Sequence, residues 1–263
     1  MMKNSRSIIS PFRSSFLTIL VIMLVGVSMS PAQISDWFRE DLTIQEKSTS
    51  SGGPQGSGQQ GTGTTYMSKN AIRHTESQGT DSIIRFDEKR MIHIDHKQKT
   101  FTSMTFEQMQ KMMDSLGQQL GKEKGEDGQQ AMQAMKKLFG NVSDSVKVTK
   151  QGPGERIAGY PTQKYLVEMG FMQMEMWAAP DLKMPPVYYD SIKMKAQNPM
   201  FDMSKLYDEF KKIDGYPMKQ VTVMSMMGMK MTTTKEVTSV TKGPVPGATF
   251  EVPAGYKMVD KGF

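Results

Sequence analysis

S-I-I-R-F-D-E-K-R-M-I-H-I-D-H-K-Q-K-T-F-T-S-M, Ser82 to Met104, sets three short runs of β-branched and aromatic residues between two polar, lysine-bearing breaks. Ser82–Phe86, Arg90–Ile94 and Thr100–Met104 read as strands and D-E-K and D-H-K-Q as the turns between them, which makes the stretch an antiparallel meander. Upstream, Thr65–Arg73 continues the pattern, and a first short strand lies near Leu42–Lys47. Ser50–Gly63, rich in Gly, Ser and Gln, has little to bury and is expected as a flexible loop.

Downstream the period changes from two to 3.6. Thr105 and Gln108 have capping-box spacing, and Phe106, Met109, Met112, Met113, Leu116 and Leu120 follow on one helical face. A second helix is signalled from Asp127 to Phe139, with Met132, Met135, Leu138 and Phe139 on one side and Gly140 as its stop. The glycine-rich Gly121–Gly128 is expected as a flexible link. The β pattern resumes at Ser145–Lys150, Thr162–Met169 and Phe171–Ala179. A third helix is marked by Met203, Leu206, Tyr207, Phe210 and Ile213, ended by Asp214-Gly215. Pro217–Thr233, Thr234–Thr241 and Thr249–Pro253 read as the closing strands. The expected fold is α+β, a half-open, curved antiparallel β-barrel wrapped around two or three helices.

The first 32 residues have the order of a secretory signal: basic Lys3, Arg6 and Arg13, an apolar core from Phe16 to Val27, then S-P-A ending at Ala32. A soluble periplasmic or secreted protein of residues 33–263, folded as one domain, is therefore expected after cleavage. The chain has no cysteine, hence no disulfide, thiolate ligand or thioether-linked lipid anchor. Loss of the three basic signal residues lowers the formal charge from +6 to +3, and the remaining bases are mixed with acids, as in Gly121–Asp127. Nucleic acid is thus not an expected partner, since no continuous basic stripe faces phosphates.

R-I-A-G-Y-P-T-Q-K-Y (Arg156–Tyr165), M-W-A-A-P-D-L (Met176–Leu182), G-Y-P-M (Gly215–Met218) and F-E-V-P-A-G-Y (Phe250–Tyr256) together resemble an exported bacterial family of unassigned function that is similar to the lipoprotein carriers LolA and LolB. The resemblance covers Thr65 to Met258. It implies the half-open barrel around helices, and it brings no catalytic residue and no cofactor. The long Ser50–Gly63 segment and the methionine density depart from it, and a lipobox cysteine of the LolB kind is missing.

Methionine is the chemistry that stands out, at 27 residues. If V-T-V-M-S-M-M-G-M-K-M (Val221–Met231) runs as one strand, Met227, Met229 and Met231 share a face with Val221 and Val223, while Lys230 points the other way. On Phe171–Trp177 the shared row is Met172, Met174 and Met176. With the helix stripe of Met109, Met112 and Met113, these rows would form one deformable apolar lining, suited to a hydrophobic ligand such as a lipid or a lipoprotein acyl chain. Two other readings of the rows stand beside it: an ordinary filled core, and a Cu(I) site, because thioethers suit that ion in a thiol-free exported protein. The function expected first is a non-catalytic carrier or chaperone-like protein; the others are Cu(I) buffering and a structural module with an envelope protein as partner. His93 and His96 have opposite strand parity, and with His74 they make at most a three-ligand divalent site. No catalytic signature such as G-x-S-x-G or H-E-x-x-H occurs, and Asn141-Val142-Ser143 is a glycosylation triplet too short to be specific.

Cleavage at the signal predicts that the exported protein, sequenced from its N-terminus, begins close to Gln33; full-length chain recovered from the inner membrane would contradict it.

Overall fold

The computed structural model describes residues 40–52, 58–77, 79–109, 111–112, 115, 145–170, 172–182, 204–226 and 229–259. The signal segment, the Gly121–Gly128 link and the second expected helix lie outside them. Among the described residues no helix is long and apolar enough to cross a membrane.

The meander forms as its alternation dictates. β1 (Leu42–Ser51), β2 (Gln59–Met67), β3 (Ala71–Glu76), β4 (Thr80–Arg85), β5 (Arg90–Asp95) and β6 (Thr100–Thr105) pair in sequence, each antiparallel to the next. The D-E-K and D-H-K-Q breaks are four-residue turns closed by Arg85 opposite Arg90 and Asp95 opposite Thr100. Lys89 and Lys99 take φ of 50° and 51° there, at a cost of about 1 kcal/mol each for a residue with a Cβ. Gln98 N–H donates to Asp95 Oδ1 at 2.9 Å and holds the second turn.

The second half supplies β7 (Lys147–Pro153), β8 (Gln163–Met169), β9 (Met172–Ala179), β10 (Tyr216–Met226), β11 (Met229–Lys242) and the short β12 (Lys257–Met258). All twelve join one large curved sheet in the order β12-β6-β5-β4-β3-β2-β1-β11-β10-β9-β8-β7. β1 pairs with β11, so the N-terminal strand of the sheet joins the two halves. β12 on β6 is the parallel pair, and β12 and β7 are the two edges, so the sheet is not closed into a barrel among the described residues.

Three expectations are corrected. Much of Ser50–Gly63 is strand: Ser50 pairs with Gln59, Ser48 with Gly61 and Glu46 with Gly63, because the hairpin ladder satisfies these backbones without needing apolar side chains. Pro217–Thr233 is not one strand, since Met226 is the partner of Met229 and the chain has reversed between them. Thr249–Pro253 is not a strand either. It belongs to a strap in which a 3-10 turn, Gly247–Phe250, drives Phe250 onto Ala71, Ile83, Ile92 and Ile94.

Each face of the sheet has its own cover. The helix Ser204–Phe210 and the following Ile213 lie with Val148, Tyr165, Val167, Met174 and Met176. At the far end of the same face, helical residues 106–109 begin with the expected capping box. Gln108 N–H donates to Thr105 Oγ1 at 3.1 Å, Thr105 N–H donates to Gln108 Oε1 at 2.8 Å, and Phe106 and Met109 are buried on Ile84. Edge strand β7 is tied to the Ser204–Phe210 helix by Val148 N–H donating to Glu209 Oε2 at 2.7 Å. Gly215, between helix and β10, has φ of +100°, and a Cβ there would stand 2.0 Å from Ala179 O, so no other residue fits.

The opposite face carries the C-terminal strap and a buried ion pair. Arg73 Nε donates to Asp81 Oδ2 at 2.9 Å, and Arg73 Nη1 donates to Thr249 O at 2.7 Å. His96 Nε2 is 2.9 Å from the same carboxylate oxygen, and His96 Nδ1 shares a 2.7 Å hydrogen bond with Tyr256 Oη. Asp81, 4% exposed, thus gathers Arg73 and His96, two side chains that both reach the strap. Asp81→Ala would leave Arg73 buried without its carboxylate, an expected loss of about 3–5 kcal/mol in urea unfolding. Tyr256→Phe removes one hydrogen bond and should cost about 1 kcal/mol by the same measurement.

Candidate functional site

Direct cross-strand partners share a face, so the register sorts the helix-bearing face into rungs. One rung is apolar across six strands: Met104, Met91, Ile84, Ile72, Met67 and Leu42. The next is polar: Thr102, His93, Ser82, His74 and Thr65, before Ile44. The third runs Thr100, Asp95, Thr80, Glu76, Gly63 and Glu46. A band of polar and ionisable groups therefore runs alongside the apolar rung on this face.

His74 sits at the centre of that band. Its Nδ1 shares a 2.9 Å hydrogen bond with Thr65 Oγ1, and its Nε2 lies 3.7 Å from Glu46 Oε1 and 3.8 Å from Glu76 Oε1. Lys235 Nζ approaches Glu46 Oε1 at 3.4 Å from β11. Gly63 makes the room: a Cβ on it would stand 3.0 Å from His74 Cε1 and 3.3 Å from Glu46 Cγ. The His74 imidazole draws the Glu76 carboxyl below its ordinary value of 4.5, against the opposing push of burial.

The sequence-predicted residues are divided among several environments. Met174 and Met176 are buried with Ile213 and Tyr165, and Met172 is half-buried at the margin of that cluster. Met109 is buried on Ile84, and Met112 is half-buried on the same helical stretch. Met113 and Met227 lie outside the described residues. Met231 is half-buried, and Met229, at 46% exposure, stands in solvent rather than in an enclosed lining. Because the chain reverses before Met229, the face shared with Met231 is that of Met224, its direct partner, and not that of Val221 and Val223. The β9 row does meet it, since Met172 is the partner of Met224 and Met174 of Thr222.

The three histidines do not converge on one centre. His74 and His93 share the helix-bearing face with Ser82 between them, two strand spacings or about 10 Å apart. His96 is on the strap side with Asp81 and Tyr256. Among the described residues no three His, Asp or Glu side chains are grouped to hold a metal. Glu46, Glu76 and Lys235 were missed by sequence reasoning. Their only mark is parity, each being an ionisable residue at a core-facing position of a polar strand.

A family model described as a domain of unknown function, DUF4412, matches residues 54–256. No curated protein matches the chain. Among solved structures the chain is similar to PNGF-II in a C2 crystal form, at 12% identity and a TM-score of 0.40, covering 85% of this chain and 31% of that one. A DUF1329 family protein from Desulfovibrio piger is similar at 10% identity and a TM-score of 0.31, covering 90% and 96%. A LolA superfamily protein from Nitrosomonas europaea is similar at 6% identity and a TM-score of 0.32, covering 81% and 90%. The chain thus spans less than a third of the length of PNGF-II.

Because the folded Glu76 pKa is depressed, its contribution to stability is present above the unfolded value of 4.5 and is lost as pH falls through the folded one. Glu76→Gln should flatten this acid limb when urea midpoints are compared between pH 7 and about pH 3; an unchanged limb would contradict the His74–Glu76 coupling.

Proposed function

We propose, for a chain that belongs to the DUF4412 family, an exported, non-catalytic carrier that holds an amphiphile, such as a lipid or a lipoprotein acyl chain, against the helix-bearing face of its sheet. The sheet would curl into a half-open barrel around its helices, with the protein working in the periplasm or outside the cell. The observation that carries this reading is the adjacency of two rungs. Met104, Met91 and Ile72 are half-buried members of a continuous apolar row, and beside them runs the polar rung that holds His74, with Glu76 and Glu46 on the rung after it.

Unbranched thioethers re-pack around irregular chains at small cost, which fits Met91 and Met104 to an acyl tail. The ionisable band fits the polar end of the same molecule, with Lys235 and His74 toward an anionic group and Glu46 and Glu76 toward a cationic one. A face of this kind would bind by shape and desolvation, so it needs no activated nucleophile.

Titration with a dansyl-labelled fatty acid tests the proposal. Saturable binding is expected for the wild-type protein, with Met91→Glu weakening it at least about tenfold, since the new carboxylate must be desolvated beside the chain. Lys97→Glu, in the exposed β5–β6 turn, should bind as wild type does. Melting curves on both variants separate lost affinity from lost fold. Absence of saturable uptake by the wild type would overturn the proposal.

A further inference from the structure

At the other end of the helix-bearing face, four methionines are direct partners in one unbroken rung over four neighbouring strands. Met169 of β8 pairs with Met172 of β9, Met172 with Met224 of β10, and Met224 with Met231 of β11. No bulge interrupts the register between them. Opposed residues of this kind have Cβ atoms about 4.5–5.5 Å apart, within the span of a methionine side chain on either strand. We propose that this rung is a thioether site for a soft monovalent cation, Cu(I) or its redox-inert stand-in Ag(I).

The choice of residue supports it. Buried strand positions elsewhere in the sheet carry β-branched residues, as at Ile83, Ile92, Ile94, Val148 and Val167, and single or paired methionines, as at Met67, Met174, Met176 and Met218. What sets this rung apart is that methionine occupies four consecutive partner positions, so four thioether side chains stand in one row. The chemistry around it is selective as well. The next rung inward consists of Ser50, Thr233, Thr222, Met174 and Val167, with no carboxylate and no imidazole to recruit a hard or borderline cation. Lys230 and Ser225 are each other's partners and occupy the opposite face, so the Lys230 ammonium lies away from the site. Access is graded: Met169 and Met224 are buried, Met172 and Met231 are half-buried, and Met229, one rung further out, is exposed. A cation would thus enter from the β10–β11 tip and pass to the buried sulfurs. Binding forms S–metal coordinate bonds and transfers no electron, so Cu(I) has to arrive already reduced.

This site is separate from the apolar rung of Met91 and Met104, and its test is independent of the carrier reading. Cu(I) held in ascorbate with a chromophoric chelator, and Ag(I) followed by calorimetry, should each show one equivalent bound more tightly than micromolar. Changing Met169, Met172, Met224 and Met231 together to Leu should weaken binding by at least about 100-fold, while the Met174→Leu, Met176→Leu double variant binds as wild type does. Should the fourfold variant not fold, Met224→Leu with Met231→Leu, two near-isosteric apolar swaps that a fold tolerates well, should still weaken binding at least about tenfold. A readout on wild-type protein completes the set. Ag(I) should slow peroxide oxidation of Met172 and Met231, mapped by peptide mass, and leave Met258, 64% exposed at the other edge of the sheet, unprotected. Failure of wild-type protein to bind either ion, or equal binding by the variants, would overturn the proposal.

Discussion

Everything in this molecule depends on one constraint of pleated geometry: residues directly opposed across antiparallel strands must point to the same side. With a ladder that runs from β6 through β1 and β11 to β7 and shifts register at Gln45/Glu46, Pro217/Lys219 and Lys150/Gly152, that constraint assigns the paired strand side chains to one of two surfaces. A slip of one residue at the β1–β11 junction would send Ile44, Thr65 and His74 to the strap side and bring Arg73 and Asp81 under the helices. The junction is protected from such a slip by its burial, since Leu42, Ile44, Met67 and Val237 belong to one core cluster with Met218 and Tyr216.

The two faces treat charge differently. On the strap side, Asp81 is almost fully buried and has three close contacts from two residues, Arg73 and His96, which makes the group costly to break and fixes the C-terminal segment in place. On the helix side, the Glu46, His74, Glu76 and Lys235 contacts are longer, at 3.4–3.8 Å, and less completely satisfied. Groups at such distances keep bonding capacity for a ligand, whereas the strap network has spent its capacity on the fold. The difference places the closely paired charge on the strap side and the looser polar band, which the proposed carrier would use, on the helix side.

The meander was legible because period-two alternation, short runs and polar turns all agree at Ser82–Met104, and the Thr105–Gln108 capping box because it is a local exchange of two hydrogen bonds. The resemblance motifs turn out to be mostly about folding. R-I-A-G-Y is a tight turn, with Ala158 and Gly159 at positive φ, that puts Ile157 into the core. G-Y-P-M marks the glycine pressed on Ala179, and F-E-V-P-A-G-Y is the strap. The candidate site was much less legible. Which methionines meet depends on where the chain reverses, and a run read as one strand through Met231 pairs Met229 with the wrong face. The polar band is assembled from β1, β2, β3 and β11, and no local pattern announces that Glu46, His74 and Lys235 will be neighbours.

The register of the helix-bearing face is therefore the claim to measure, and the methionine ε-methyl groups report it directly. In a methyl-labelled sample, nuclear Overhauser contacts are expected between Met172 and Met224, between Met224 and Met231, and between Met91 and Met104, with none joining the first set to the last. Absence of the Met224–Met231 contact, or a contact linking Met231 to Val221 or Val223, would mean that the chain does not reverse at the β10–β11 tip, and the assignment of side chains to the two faces would be wrong.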